Sequence, residues 1–200
     1  MPVTVRGVGR STRRHDSGRY RALVASIAPL DPADADAIVQ LSYAYAAGID
    51  HRDWALYRSI FTDSCEFDFS SWSGRPAAVL AADDWVAAVR STNGSFDATQ
   101  HLMSNHRIHL VDDHTAVGVN ELQAQHFFTG ETMAAFGRPA ESVWCLLGGH
   151  YTNRYVRTGL HEPTSDVWQG WRIAACRLTV RWRTGDESVF PLARSRGAGG

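Results

Sequence analysis

Three side chains in this 200-residue sequence are of the types that move protons without outside help. Tyr45 and Asp50 bracket a glycine in Tyr45-Ala46-Ala47-Gly48-Ile49-Asp50, and His101 follows in Thr99-Gln100-His101-Leu102-Met103-Ser104-Asn105. A carboxylate that accepts an imidazole N–H fixes the ring's tautomer and stabilises the imidazolium formed when the other nitrogen takes a proton. A phenol nearby can polarise a carbonyl or protonate a departing hydroxyl. Each residue also has a plainer role. Asp50 could cap a helix end or pair with Arg52 or Arg107, His101 could be satisfied by a backbone carbonyl, and Tyr45 could be core.

Periodicity places the elements that must hold these groups. Asp31-Pro32 opens a helix whose apolar positions Ile38, Leu41, Tyr45 and Gly48 recur at spacings of three and four; Gly48 is expected to end it, with Asp50 at the exit. Asp53 is set to cap a short second helix through Trp54, Tyr57 and Phe61. Residues 64–69 alternate Cys65, Phe67 and Phe69 with polar neighbours and predict a strand, and residues 76–89, alanine-rich with Pro76 at the first turn, predict a third helix. Strands follow over 99–110, 115–127, 144–157 and 168–183, the first two joined by a hairpin connection at 111–114. Residues 129–143 predict a long loop or short helix able to cover a pocket. Helices first and hairpin-connected strands afterwards imply one α+β domain over residues 31–186, with a curved sheet around the helices. The Arg-rich residues 1–30 are expected to be a disordered extension, and 187–200 a frayed C-terminal tail.

Composition removes whole classes of chemistry. All 20 basic residues are arginine, and the absence of lysine excludes Schiff-base catalysis, pyridoxal phosphate attachment and a P-loop. A net charge of -1 gives no global field for nucleic acid or anionic lipid, and no apolar run has the length of a membrane span, so neither is expected as a partner. Cys65, Cys145 and Cys176 are widely spaced and form no CxxC pair, which suits a reducing cytoplasm. His101, His106 and His109 suggest a metal site, but on a regular strand His101 and His109 face opposite to His106, so no metal and no cofactor is expected.

The segments Asp36-Ala-Ile38-x-x-Leu41-x-x-x-Tyr45-x-x-x-x-Asp50-x-x-Asp53-Trp54, Gln100-His101-x-x-x-Asn105, Tyr151-Thr-Asn-Arg154-Tyr155-Val-Arg157 and Gly170-Trp171-Arg172-Ile173 resemble the SnoaL-like branch of the nuclear-transport-factor-2-like, or ketosteroid-isomerase-like, superfamily. The resemblance spans roughly residues 34 to 186 and implies a cone-shaped, antiparallel or mixed sheet wrapped around three N-terminal helices. It also implies an Asp-His pair at Asp50 and His101. Bile-acid dehydratases look most similar, adding a tyrosine where Tyr45 stands; scytalone dehydratase and dehydrochlorinase types are further members. The dehydrochlorinase pattern departs, with a lysine at the Tyr45 position and an arginine where this chain has Cys176. Ketosteroid isomerases and limonene-epoxide hydrolases carry aspartates on central strands, whereas residues 99–110 and 115–127 hold none. SnoaL-type cyclases pair a strand aspartate with a histidine; here His126 has only Glu121 on its strand.

On this basis His101, Asp50 and Tyr45 are the expected catalytic residues, and His126, Asn105, Trp54 and Tyr151 the expected substrate-binding ones. Alternation along the strand puts Asn105 on the face of His101. The expected activity is a cofactor-independent, dehydratase-type elimination from a hydroxylated, carbonyl-bearing polycyclic or polyketide-like molecule. The alternatives are isomerisation or cyclisation by the same proton transfer, or a non-catalytic binding or assembly module. The resemblance implies a homo-oligomer, a trimer before a dimer.

Overall fold

The computed structural model describes residues 30–158 and 168–198. In chain order its elements are helices α1 (Pro32–Asp50) and α2 (Trp54–Ser59), strand β1 (Phe61–Asp68), one helical turn α3 (Ser70–Ser73), strand β2 (Ala78–Ala81), helix α4 (Ala82–Asn93), strands β3 (Ala98–Asp112) and β4 (Thr115–Phe128), helix α5 (Gly130–Ala135), strands β5 (Val143–Arg157) and β6 (Trp171–Gly185), and helix α6 (Val189–Ala198). All but the last residue of the expected N-terminal extension lies outside the described residues.

The strands form one mixed six-stranded sheet in the order β2-β1-β6-β5-β4-β3. Only β1 and β6 run parallel; the other neighbours are antiparallel. Strict alternation on β4 turns Ala116, Leu122, Ala124, His126 and Phe128 inward, and β5 adds Cys145, Leu147, Tyr151, Asn153 and Tyr155 to the same face. Onto this face α1 lays Ile38, Leu41, Tyr45 and Ile49, an i, i+3, i+4 stripe whose burial ties the helix to the sheet. The Asp31 carboxylate accepts from Ala33 N at 2.8 Å and Pro32 takes the first turn, so the helix begins where its residue types direct. Asp53 likewise caps α2, accepting from Leu56 N at 2.9 Å.

The structure corrects four sequence expectations. Gly48 does not end α1, which runs on to Asp50; its missing side chain instead lets α2 approach, since a Cβ there would stand 2.8 Å from the Cβ of Tyr57. The third helix begins at Ala82 and not at Pro76, because residues 78–81 pair with β1 as an exposed edge strand and the acidic first turn, Asp83 and Asp84, marks the true helix start. A β-bulge splits β3: the register advances by three residues from Ser104 to Arg107 while β4 moves by two, with Asn105 in the left-handed region at φ 54°. His106, Ile108 and Leu110 therefore share the inner face of His101 and Met103, and His109 faces outward opposite Val117. Lastly, the expected tail is helix α6, which buries Val189, Phe190 and Ala193 in the mouth of the cone. Arg196 ties it to Asp97 at 2.9 Å and to the Ser95 carbonyl at 3.0 Å.

The close approach at Gly48 generates a test. Gly48→Ala should destabilise the protein by about 1–3 kcal/mol, the usual cost of overpacking, despite alanine's better helix propensity. Urea unfolding measures this. Stability equal to or above wild type would mean that α1 and α2 part without cost.

Candidate active site

The last turn of α1 and the start of β3 meet at Asp50. One carboxylate oxygen, Oδ2, accepts the main-chain N–H of His101 at 2.7 Å; the other, Oδ1, lies 2.7 Å from Nδ1 of the same residue and 2.9 Å from the Thr99 hydroxyl, which donates to it. The His101 side chain is 6% exposed and that of Asp50 16%, on the inner side of the sheet. Burial pushes the Asp50 carboxyl up, but the hydrogen bond and charge of His101, together with the His101 N–H and the Thr99 hydroxyl, outweigh it and hold the group below its ordinary value. An ionised acceptor at Nδ1 requires the proton on that nitrogen, which leaves the Nε2 lone pair as the basic position.

Sequence reasoning did not assign Thr99 or Arg52 to this site. Arg52 follows the helix cap in a left-handed conformation at φ 61°, and its guanidinium donates to Ile49 O at 2.7 Å, Thr99 Oγ1 at 2.9 Å and Phe96 O at 3.1 Å. The signal available was weak. Thr99 stands two residues before His101, so alternation alone puts it on the same face, but nothing in the chain announces Arg52 as its partner.

Tyr45 stands five residues before Asp50 on α1, about 7.5 Å along the helix axis. Its hydroxyl lies 3.0 Å from that of Tyr151 on β5, and both residues are buried. Whichever hydroxyl donates, the other keeps a hydrogen to give. Burial, reinforced by the neighbouring phenols, lifts Tyr45 well above its ordinary value, and burial likewise lifts Tyr151. Both are therefore neutral donors and not phenolate bases. Edge-on contacts of Tyr45 with Tyr57 and Phe61 continue an aromatic wall.

His126 lies deeper, 5% exposed, with its ring 5.7 Å from His101 and 4.9 Å from both Phe96 and Phe190. Its Nδ1 is buried without a hydrogen-bond partner. Burial first, and the nearby His101 second, pull its pKa down to about 3, so it is neutral at physiological pH.

Two expected ligand contacts do not join this group. Asn105 is exposed at the β3 bulge, which rotates it off the His101 face. Trp54 stands edge-on to Tyr57 and against Gly94, bracing α2 on the end of α4. The bulge also revises the histidine geometry, placing His106 with His101; His106 packs edge-on against Tyr43, 5.7 Å away. Among the described residues no three His, Cys, Asp or Glu side chains group as a metal ion would require. A depression of about 230 Å³ on the outer face, between β1, β4, β5 and β6, includes Glu66, Asp68, Arg154 and Arg177. There Asp68 pairs with Arg177 at 2.8 Å, an ion pair at the surface.

A family profile described as a SnoaL-like domain matches residues 32–177. Terrestric acid biosynthesis cluster protein E of Penicillium crustosum is 26% identical over 170 residues, covering 84% of this chain and 96% of that protein. Among solved structures, the Kfla4162 protein from Kribbella flavida aligns with a TM-score of 0.65 at 28% identity, over 80% of this chain and 97% of that one. A hexachlorocyclohexane dehydrochlorinase, LinA-type3 from Novosphingobium barchaimii, aligns with a TM-score of 0.59 at 17% identity, over 78% and 91% of the two chains. A scytalone dehydratase-like protein from Novosphingobium aromaticivorans gives 0.59 at 20% identity, over 77% and 88%. At these identities the last two bear on the fold, which is the nuclear-transport-factor-2-like α+β cone.

The buried, neutral His126 makes stability depend on pH. Its folded pKa is depressed from 6.5 to about 3, so its contribution is complete above pH 6.5 and falls away as the pH drops towards 3, where the unfolded chain binds a proton and the folded chain does not. At pH 5 this one group should cost about 2 kcal/mol relative to neutral pH. His126→Phe should flatten that part of the profile in urea titrations. An unchanged slope would show that the ring is protonated in the folded state.

Proposed function

Because the chain belongs to the SnoaL-like domain family, we propose that it is a lyase of the dehydratase type, removing water from a hydroxylated, carbonyl-bearing polycyclic or polyketide-like molecule. The observation that carries this reading is the 2.7 Å contact between Asp50 Oδ1 and His101 Nδ1, inside a mostly apolar interior. A relative named for a biosynthesis cluster supports a small-molecule biosynthetic substrate.

His101 Nε2 takes the proton from the carbon beside the carbonyl, and the electrons of that C–H bond form the new C=C as the C–O bond to the hydroxyl breaks. The departing hydroxide recovers a proton from the imidazolium and leaves as water, which restores His101. Asp50 stabilises the imidazolium during the interval. Negative charge on the carbonyl oxygen requires a donor, and the neutral hydroxyls of the Tyr45–Tyr151 pair are suited to supply it. The neutral His126, its ring 5.7 Å from that of His101, suits a contact with a polar group of the substrate.

Turnover is tested on hydroxy-ketones in deuterated water, where elimination gives a product lighter by one water and isomerisation changes mass only by deuterium. His101→Ala should lower turnover by about 100-fold or more with the fold intact. Asp50→Asn should do similar damage by disturbing the tautomer. Tyr45→Phe should be milder, since Tyr151 retains a hydroxyl, and Tyr45→Phe with Tyr151→Phe should be worse than either alone. Activity should survive a chelator. A wild-type rate in His101→Ala defeats the mechanism, and a wild type that binds ligands yet turns over none of a broad panel favours a binding module.

A further inference from the structure

Arg52 stands just past α1 in a backbone conformation that residues with a Cβ rarely adopt, and among the described residues its guanidinium makes no direct ion pair with Asp50, two residues before it. It instead bridges two elements, holding the Ile49 carbonyl of α1 and the Phe96 carbonyl before β3 while giving a third hydrogen to Thr99 Oγ1 at 2.9 Å. A threonine hydroxyl has a single hydrogen. With the guanidinium occupying the acceptor side of Oγ1, that hydrogen points to Asp50 Oδ1, 2.9 Å away. Oδ1 then has two donors, Thr99 and His101 Nδ1, while Oδ2 is fixed by the His101 main-chain N–H. The carboxylate cannot rotate without breaking a bond at each oxygen.

We infer that Arg52 is a positioning residue which, acting through Thr99, orients the Asp50 carboxylate and so holds His101 in the tautomer protonated at Nδ1, with Nε2 open to substrate. The inference rests on the reading of His101 as the base. An isolated imidazole favours the opposite tautomer, so the state of His101 reports the relay directly, apart from any substrate. Left-handed backbone at Arg52 is part of the arrangement, because it aims the side chain back across the helix end towards β3.

The test uses the full chain labelled with 15N-histidine, the His101 signals being assigned by their loss in His101→Ala. Wild type should show Nδ1 protonated and Nε2 unprotonated at neutral pH. Thr99→Val, which keeps shape and strand preference but removes the hydroxyl, should convert this to a mixture of tautomers, and Thr99→Ser should restore it. Arg52→Gly removes the guanidinium while suiting the left-handed backbone, and should resemble Thr99→Val; if it fails to fold, Arg52→Asn, which tolerates the same backbone and is too short to reach Thr99, decides. Turnover in Thr99→Val should fall about tenfold through kcat with KM little changed, as for one lost hydrogen bond to a charged group. Wild-type tautomers in either Thr99→Val or a folded Arg52 variant would overturn the inference, as would an Nε2-protonated wild type. Shifted tautomers alongside an undiminished rate in His101→Ala would leave the relay standing and remove the dehydratase reading.

Discussion

The Asp50 carboxylate is the polar junction at which the end of α1 meets the start of the edge strand β3. β3 is an outermost strand, bonded along its length only to β4, and its first residues meet α1 through Asp50, which accepts one main-chain and two side-chain hydrogens from Thr99 and His101. A buried carboxylate is costly unless its lone pairs are filled, and here every donor but the strand N–H belongs to a side chain facing inward. The helix end, the strand start and the ionised state of the acid are therefore coupled.

The rest of the interior is arranged around that junction. Tyr45 lies on the buried stripe of α1 before it, facing Tyr151, and the aromatic rings of Tyr57 and Phe61 fill the space behind. Beyond His101 the apolar lining changes to Phe96, Phe128 and Phe190, with the neutral His126 among them. Phe190 comes from α6, and its ring packs against Phe96, Trp72 and His126. The Asp50–His101 pair thus sits in a mostly apolar interior, where each hydrogen bond acts more strongly than in water.

How much of this was legible in the sequence depended on the reach of the interactions involved. Helix α1, the cap at Asp53 and the four long strands follow from local periodicity and turn residues, and they appear within a few residues of where those signals put them. The failures are instructive. Pro76-Ala-Ala has helical propensity, but residues 78–81 take their hydrogen bonds from β1, a partner far off in the chain. Residues 187–200 have little apolar periodicity, and only the shape of the cone reveals that Val189, Phe190 and Ala193 fill it. For the site, Asp50 and His101 were visible through motif spacing. Thr99 and Arg52 were not, because their importance lies in who receives which hydrogen. That is a property of three-dimensional geometry.

The bulge at Asn105 makes β3 two short strands with separate reading frames. Residues 98–104 present odd-numbered positions to the interior, and residues 106–110 present even-numbered ones, the change of parity being absorbed by one residue in a left-handed conformation. The frame that carries Thr99 and His101 is thereby insulated from the frame that carries His106, Ile108 and Leu110. Loss or gain of a residue in the hairpin half would be stopped at the bulge, leaving Thr99 and His101 in phase. The strand can change its hairpin end without disturbing the end that meets Asp50.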